Sequence, residues 1–380
     1  MIQLTIPSIE EDDLRAVRAV LASGYLVQGP RVAAFEQAVA KYVGCRYAVA
    51  VSNGTAALHL ALLSLDVRPG DIVLVTAYSW LSTANVIELC GAQPVFVDIQ
   101  PDTFNLDPAC LESVLKRLMA TPETAKRVRA VLPVHTFGQM ADMPAILELA
   151  NRYALPVVED AACALGATLH NRQAGTWGVM GCFSFHPRKT VTTGEGGMIT
   201  TDDPALDERL RVLRNHGLDP KAPSPDFIMP GFNYRLTEYQ AALGLTQLAK
   251  LERIITVRCQ LAAHYDTLLA RTPLRPPCVR AGQRAVYQSY VTLLPEHLAA
   301  QRQELITQLK ATGIETTIGT WHMPMTTYFR TRYGYHTGLF PIADRVFARS
   351  VTLPLHERLS QIDQQDVCNA LLRVLEGLEK

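Results

Sequence analysis

The chain of 380 residues is 48% hydrophobic, and its 36 lysine and arginine residues balance 36 aspartate and glutamate residues. Because single hydrophobic cores stop growing beyond about 250–300 residues, the length predicts one large domain and a smaller one. Because the basic and acidic residues balance, the chain has no net positive charge that would attract nucleic acid or an acidic membrane surface, and we expect neither as a partner.

Two helices are predicted at the N-terminus. Ser8 followed by Glu11 predicts a capping box that opens a helix to about Ser23, and Pro30 opens a second helix that ends at Gly44. The first residues lack the basic start and apolar run of a signal peptide, and no stretch approaches the roughly twenty apolar residues of a membrane span. We therefore expect a cytoplasmic protein.

Short apolar strands then alternate with helical stretches. The predicted strands are Tyr47–Val51, Ile72–Thr76, Pro94–Ile99, Ala130–Val134 and Pro156–Asp160. The helical stretches between them include Asn53–Leu65, Leu81–Cys90 and Ala141–Tyr153. Continuous apolar strands that alternate with helices indicate an α/β fold with a mainly parallel sheet covered on both faces.

The second half of the chain contains a long proline-free run, Leu236 to Arg271, which predicts a helix that joins two domains. We expect a large domain over residues 1–250 and a smaller α/β domain over residues 251–380. Before this helix, the predicted elements are two β-like runs, CFSF and GMITT, and a helix from Pro204 to about Asn215. After it, they are the strand-like Val286–Leu294 and the helices Leu298–Gly313 and Gln361–Leu378.

The eight cysteines show neither a C-x-x-C motif nor the paired Cys/His spacing of a zinc site. We therefore expect no metal and no disulfide. Most of these thiols are predicted to be small buried hydrophobes.

The first segment that could bind a ligand is Ser52-Asn53-Gly54-Thr55, where a strand ends and a helix begins at once. Free backbone N–H groups, the helix dipole and the close approach that glycine permits suit a phosphate. An ordinary strand-to-helix turn capped by Thr55 explains the same residues. The G-x-G-x-x-G fingerprint of dinucleotide sites is absent.

The second segment is the acidic pair that closes the Pro156–Asp160 strand. Asp160 is expected at the carboxyl edge of the sheet, where ligands of open α/β folds collect. A buried carboxylate needs a cationic partner or hydrogen-bond donors. A salt bridge, a capping role and the protonated ring nitrogen of a cofactor are all compatible with this position.

The third segment, SFHPRKTVTTGEGG, carries Lys189. This lysine has three interpretations: a solvated surface residue, an anion ligand, or an amine that forms a Schiff base with a carbonyl. Taken together, the three segments supply a phosphate cradle, an acidic partner for a pyridine nitrogen and a reactive lysine. This combination is the pattern expected for pyridoxal phosphate.

The sequence resembles the DegT/DnrJ/EryC1/StrS aminotransferases, a sugar-modifying branch of the fold type I pyridoxal phosphate enzymes. The resemblance runs almost from end to end, through the ordered blocks GPRVAAFEQAVAKYVGCRYAVAVSNGTAALHLAL, PGDIVLV, GAQPVFVDI, VEDAACALGA, FSFHPRKTVTTGEGGMITT, LRNHG, GFNYRLTEYQAALGLTQL and VTLPLH. It implies a large domain around a mainly parallel sheet and a smaller C-terminal α/β domain.

The resemblance also implies the roles of individual residues. Lys189 and Asp160 are the expected catalytic residues, with Lys189 forming the Schiff base and Asp160 pairing with the pyridine nitrogen. The other expected cofactor-binding residues are Gly54, Thr55, Ala56 and Ser184 near the phosphate, Trp80 stacked on the ring, and Cys163. Asn233 is expected to reach the phosphate of the neighbouring subunit in a homodimer with shared active sites. On the sequence alone, Asn233 would instead cap the following helix.

Two segments depart from the family pattern. Cys163 stands where relatives usually carry glutamine or histidine near the phenolic oxygen of the cofactor. The stretch TWHMPM, Thr320–Met325, replaces a His-Tyr-x-Pro motif, and VYQSYV replaces a version that contains histidine. These departures leave the identity of the amino acceptor open.

The implied activity is transamination. L-glutamate or L-glutamine would convert pyridoxal phosphate to pyridoxamine phosphate, and the amine would pass to a keto group at C3 or C4 of a nucleotide-linked deoxysugar. A cyclitol ketone is the nearest alternative acceptor. A pyridoxamine-dependent sugar dehydrase would carry histidine in place of Lys189, and a non-catalytic sensor would not need Lys189, Asp160 and Ser184 intact.

Overall fold

The structure, a computed structural model, describes residues 1–378. Its helices are α1 (Glu11–Ser23), α2 (Pro30–Val43), α3 (Gly54–Ser64), α4 (Ser82–Leu89), α5 (Pro108–Met119), α6 (Pro122–Ala125), α7 (Met143–Arg152), α8 (Pro204–Arg214), α9 (Glu238–Leu269), α10 (Arg302–Ala311), α11 (Thr327–Tyr333), α12 (Pro341–Arg349) and α13 (Gln361–Leu378). Its strands are β1 (Tyr47–Val51), β2 (Ile72–Thr76), β3 (Tyr78–Ser79), β4 (Gln93–Val97), β5 (Val128–Leu132), β6 (Val158–Asp160), β7 (Thr168–Leu169), β8 (Arg172–Gln173), β9 (Met180–Ser184), β10 (Gly197–Thr201), β11 (Gln283–Arg284), β12 (Tyr290–Leu293), β13 (Thr317–Ile318), β14 (Trp321–His322) and β15 (Ser350–Leu353).

The central sheet consists of two linked parts. Strands β1-β10-β9-β6 form one part and β4-β2-β5 the other. Parallel bridges from Val131 to Val157 and from Val134 to Asp160 join them. Strand β10 runs antiparallel to both of its neighbours, whereas β6 pairs with β9, and β2 with β4 and β5, in parallel. The predicted α/β fold with a mainly parallel sheet is confirmed.

Both faces of this sheet are covered. In β1, Ala48 and Ala50 belong to one buried cluster, whereas Val49 and Val51 belong to another. Such alternation is expected because successive side chains of a strand point to opposite faces. The continuous apolar composition of the strand follows directly from this double burial.

The long helix α9 links the first of these clusters to a third one. Its residues Leu251 and Ile255 pack in the cluster under the sheet, and Leu261 and Tyr265 pack in a cluster built from the C-terminal part of the chain. Helix α9 is two residues shorter at each end than the predicted run. The division into domains 1–250 and 251–380 stays a prediction.

The helix cap predicted at Ser8 and Glu11 is wrong, although the helix ends at Ser23 as expected. Helix α1 begins at Glu11, so its cap is Glu10, whose backbone N–H donates to Asp13 Oδ2 over 2.8 Å. Ser8 Oγ instead donates to Glu10 Oε1 over 3.4 Å. At α2, both the start at Pro30 and the left-handed Gly44 after the end agree with the prediction.

Other boundaries differ because local backbone geometry overrides the apolar pattern. The strand predicted over Val286–Leu294 is reduced to β12, since Tyr287 adopts a positive φ of 45°. The helix predicted over Leu298–Gly313 begins as a 3-10 turn before α10. Strands β4 and β5 lie one or two residues earlier than predicted.

The cysteines are free, and fewer of them are fully buried than predicted. Cys90, Cys182 and Cys368 are buried, Cys278 is exposed, and the other four lie between these limits. Among residues 1–378, no helix combines the length and the apolar composition that a membrane span needs.

Candidate active site

Three strand ends place the candidate residues at one edge of the sheet. Strands β1 and β9 both flank β10 in antiparallel pairing, and β9 pairs in parallel with β6, so β1, β9 and β6 share one direction. Their carboxyl ends carry the turn before α3, Ser184 and Asp160, respectively. This edge is where an open α/β sheet binds its ligands.

Asp160 is only 4% exposed. Its Oδ2 accepts a hydrogen bond from Thr83 Oγ1 over 2.7 Å, and its Oδ1 accepts one from the Ala162 N–H over 3.2 Å. Burial raises the pKa of the Asp160 carboxyl, and the hydrogen bonds together with the charge of Lys189 oppose that rise only in part. A cation placed beside this carboxylate would relieve the cost of burying its charge.

Lys189 lies shortly after β9, in the turn predicted to carry it. Its backbone N–H donates to the His186 carbonyl over 2.8 Å, and its Nζ donates to Cys163 Sγ over 3.1 Å. Both side chains are partly buried. The structure thus brings Lys189, Cys163 and Asp160 together, and the acceptor that faces the lysine amine is a thiol sulfur, which is a weak hydrogen-bond acceptor.

The N-terminus of α3 forms a cradle for an anion. Asn53 is its cap, since Asn53 Oδ1 accepts from the Ala56 N–H over 2.8 Å. The alternative role of Thr55 as the cap is therefore wrong, and the Ala56 N–H is occupied. Helix geometry leaves the N–H groups of Gly54 and Thr55 without intrahelical acceptors. These two groups are available for a phosphate.

Gly54 fixes the distance between this cradle and β9. A Cβ at Gly54 would lie 2.8 Å from Ser184 Cβ and 3.2 Å from Ser184 Oγ. A side chain there would push the serine away from the helix N-terminus. The missing Cβ lets the Ser184 hydroxyl lie beside the free N–H groups, which is the donor set that a phosphate requires.

Trp80 and Asn233 complete the predicted set. Trp80 lies between β3 and α4 and is 60% exposed, so an aromatic face is open to a ligand. Asn233 is exposed, and the next residue, Tyr234, accepts a backbone hydrogen bond from the Ser52 N–H over 2.8 Å. The alternative helix-capping role of Asn233 is wrong, because Thr237 caps α9.

Sequence reasoning missed Thr83 and assigned no partner to Glu159. Glu159 is fully buried. Its Oε2 accepts from His135 Nε2 and from the Gly175 N–H, both over 2.8 Å, and its Oε1 accepts from the N–H groups of Trp177 over 2.6 Å and Gly178 over 2.7 Å. The sequence of this acidic pair does not indicate that Glu159 has a hydrogen-bond donor at every acceptor position whereas Asp160 does not.

Comparison with known proteins gives one consistent result. The sequence profile of the DegT/DnrJ/EryC1/StrS aminotransferase family matches residues 7–372. The chain is 41% identical over 350 residues to GDP-perosamine synthase of Caulobacter vibrioides, with 91% of each chain covered. It is 37% identical over 387 residues to the spore coat polysaccharide biosynthesis protein SpsC of Bacillus subtilis, with 99% of this chain and 97% of SpsC covered.

The fold is also that of a solved relative. Spr1654 of Streptococcus pneumoniae in its PMP form superimposes with a TM-score of 0.93 at 27% identity, covering 99% of this chain and 100% of that protein. Its PLP form gives a TM-score of 0.92.

Proposed function

The chain belongs to the DegT/DnrJ/EryC1/StrS aminotransferase family, and we propose that it transfers an amino group to a keto group of a nucleotide-linked deoxysugar. Its cofactor is pyridoxal phosphate, which the Streptococcus relative binds in two forms. The names of the Caulobacter and Bacillus relatives support a nucleotide-linked amino sugar as the product and polysaccharide synthesis as its use. L-glutamate or L-glutamine is the proposed amino donor.

The observation that carries the proposal is the convergence of three groups at one sheet edge. They are the Lys189 amine, the buried Asp160 carboxylate and the free N–H groups of α3 beside Ser184. These groups fit pyridoxal phosphate, because the cradle offers several donors to a dianion and the carboxylate has few donors of its own. The exposed face of Trp80 fits an aromatic ring.

The cofactor, when bound, supplies a carbonyl carbon that exchanges amino groups and a ring that withdraws electrons. Asp160 would keep the ring nitrogen protonated by pairing its negative charge with that of the pyridinium. Nζ of Lys189 would remove the Cα proton of the amino donor and return it, within the same half-reaction, to the carbon that carries the transferred nitrogen, and it would move a proton in the opposite direction in the second half-reaction. Cys163 Sγ accepts from Nζ and so keeps the amine over the site.

We further propose a homodimer in which Asn233 serves the site of the partner subunit. Asn233 is exposed beside the backbone that flanks the α3 cradle. An exposed amide at this place fits a contact between two copies of the chain.

The test is a mass-spectrometric screen of keto-sugar nucleotides with L-glutamate as donor. The expected product is the corresponding amino-sugar nucleotide from the wild-type protein. No product is expected from Lys189→Ala, whereas Lys116→Ala should match the wild type because Lys116 is an exposed residue of α5. Amination of a cyclitol ketone without amination of any sugar nucleotide would refute the proposed substrate class.

A further inference from the structure

The Asp160 carboxylate is held by one donor on each oxygen. Thr83 lies in the first turn of α4, is fully buried, and donates from Oγ1 to Oδ2 over 2.7 Å. The Ala162 N–H donates to Oδ1 over 3.2 Å. These two hydrogen bonds fix the plane of the carboxylate. Lone pairs remain on both oxygens for a further N–H donor.

The geometry also fixes the direction of the hydrogen bonds behind Thr83. Thr83 Oγ1 lies 3.1 Å from both Ser79 Oγ and the Trp80 carbonyl oxygen. A hydroxyl has only one proton to donate, and a carboxylate is the stronger acceptor. Thr83 therefore donates to Asp160 and accepts from Ser79. The Trp80 carbonyl still receives the Thr83 backbone N–H over 3.2 Å.

The outer end of this chain of hydroxyls is anchored by the C-terminal part of the protein. Strand β3 pairs with β14, with Ser79 opposite Trp321 and Tyr78 opposite His322. Tyr78 Oη also donates to Ser350 Oγ over 2.9 Å. Ser79 is thereby held in place from both sides, and its hydroxyl supports Thr83.

We propose that Thr83 is a positioning residue, which orients the Asp160 carboxylate toward the ring nitrogen of the cofactor and stabilises its negative charge, with Ser79 as the supporting hydroxyl. This inference rests on the proposed role of Asp160. It also explains how one residue joins two parts of the site, because Thr83 binds Asp160 through its side chain and the Trp80 carbonyl through its backbone.

The charge of Asp160 makes the inference testable without substrate. The titratable groups around Asp160 are its neighbour Glu159, Lys189 and Cys182 from the β9 side, and His135 after β5. Burial raises the folded-state pKa of Asp160 above its unfolded value. The resulting contribution to stability is present at low pH and is lost as the pH rises through the folded-state pKa.

Removing the Thr83 hydroxyl removes a donor to the ionised form, so the pKa of Asp160 should rise further. The destabilisation caused by Thr83→Val in the apoprotein should therefore grow as the pH rises through the folded-state pKa of Asp160, which lies above the ordinary aspartate value. Thr83→Ser retains the hydroxyl and should restore most of the wild-type pH dependence. Urea unfolding midpoints at a series of pH values measure this effect.

Thr292→Val is the matched control. Thr292 is equally buried, but its Oγ1 donates to the Arg275 carbonyl over 2.8 Å, a group that does not titrate. Its destabilisation should be the same at every pH. A pH-independent effect of Thr83→Val would mean that Thr83 only packs, and it would overturn the proposal.

A second readout is retention of the cofactor. We expect Thr83→Val to bind pyridoxal phosphate about tenfold more weakly, which corresponds to about 1.4 kcal/mol, and to alter the pH dependence of its visible spectrum. If Thr83→Val fails to fold at every pH, Ser79→Ala replaces it, and a pH-independent effect there also overturns the proposal. If the wild-type protein aminates no keto-sugar nucleotide in the screen, the proposed function is refuted, and this outcome is distinct from the pH-independent effect that would refute the role of Thr83.

Discussion

Glu159→Gln tests whether the two adjacent carboxylates at the end of β6 have different tasks. Glu159 accepts four hydrogen bonds, from His135 Nε2 and from the N–H groups of Gly175, Trp177 and Gly178. The His135 tautomer is set by geometry, because its Nδ1 accepts from the Ala141 N–H over 3.1 Å and its Nε2 must then donate.

The expected cost of Glu159→Gln follows from counting these donors. A glutamine side chain has one carbonyl oxygen that accepts two hydrogen bonds and an amide nitrogen that only donates. Whichever way the amide is turned, two of the four donors lose their acceptor. Each buried donor left unsatisfied costs about 1–3 kcal/mol, so the free energy of unfolding should fall by about 2–6 kcal/mol. That is a large part of the roughly 5–15 kcal/mol typical of a native protein.

Urea unfolding of the apoprotein at neutral pH measures this loss against two other variants. Glu148→Gln is the control, since Glu148 is 67% exposed on α7 and its change should stay within about 0.5 kcal/mol. Asp160→Asn should cost little or even stabilise the apoprotein, because burial raises the Asp160 pKa and disfavours its ionised form. The same variant should slow both half-reactions of the loaded enzyme.

Two outcomes would contradict the assignment of a structural task to Glu159. One is a Glu159→Gln midpoint equal to that of Glu148→Gln. The other is an apoprotein that loses more stability from Asp160→Asn than from Glu159→Gln.

Two further predictions concern the phosphate cradle and the dimer. Gly54→Ala should weaken pyridoxal phosphate binding, because its Cβ would lie 2.8 Å from Ser184 Cβ. Gly377→Ala is the control and should leave binding unchanged, since a Cβ there meets nothing within 4 Å. Equal affinities of the two variants in a fluorescence titration would contradict the proposed phosphate cradle. Co-expressed Lys189→Ala and Asn233→Asp chains should regain activity in mixed dimers, since both lesions fall in one site and the other site is intact, and absence of complementation would show that Asn233 serves its own subunit.

Most of the sheet could be predicted because the sequence changes from apolar to polar or turn residues where a strand begins or ends. The β1 and β2 limits agree with the prediction, as both strands are mostly apolar and fully or almost fully buried. The two-residue strands such as β14 were not predicted, since two residues have no periodicity. They form only because distant parts of the chain approach each other.

The site was predictable where chemistry depends on residue type in a local motif. Lys189, Asp160 and Gly54 each lie in a segment whose composition points to a ligand. Thr83 could not be found in this way, because a threonine in the first turn of a helix is common in any protein. Its contact with Asp160 exists only after α4 packs at the end of β6.

The different hydrogen bonding of the Glu159 and Asp160 carboxylates follows from strand geometry. Successive side chains of β6 point to opposite faces of the sheet, so Glu159 and Asp160 enter different surroundings although they are neighbours in sequence. Glu159 meets enough donors to saturate both oxygens. Asp160 meets one donor on each oxygen and the amine of Lys189 farther away. A buried carboxylate with so few donors destabilises the apoprotein, and the proposed pairing with the pyridinium nitrogen would offset that destabilisation on binding. Cofactor binding should therefore stabilise the fold most at pH values where Asp160 is ionised.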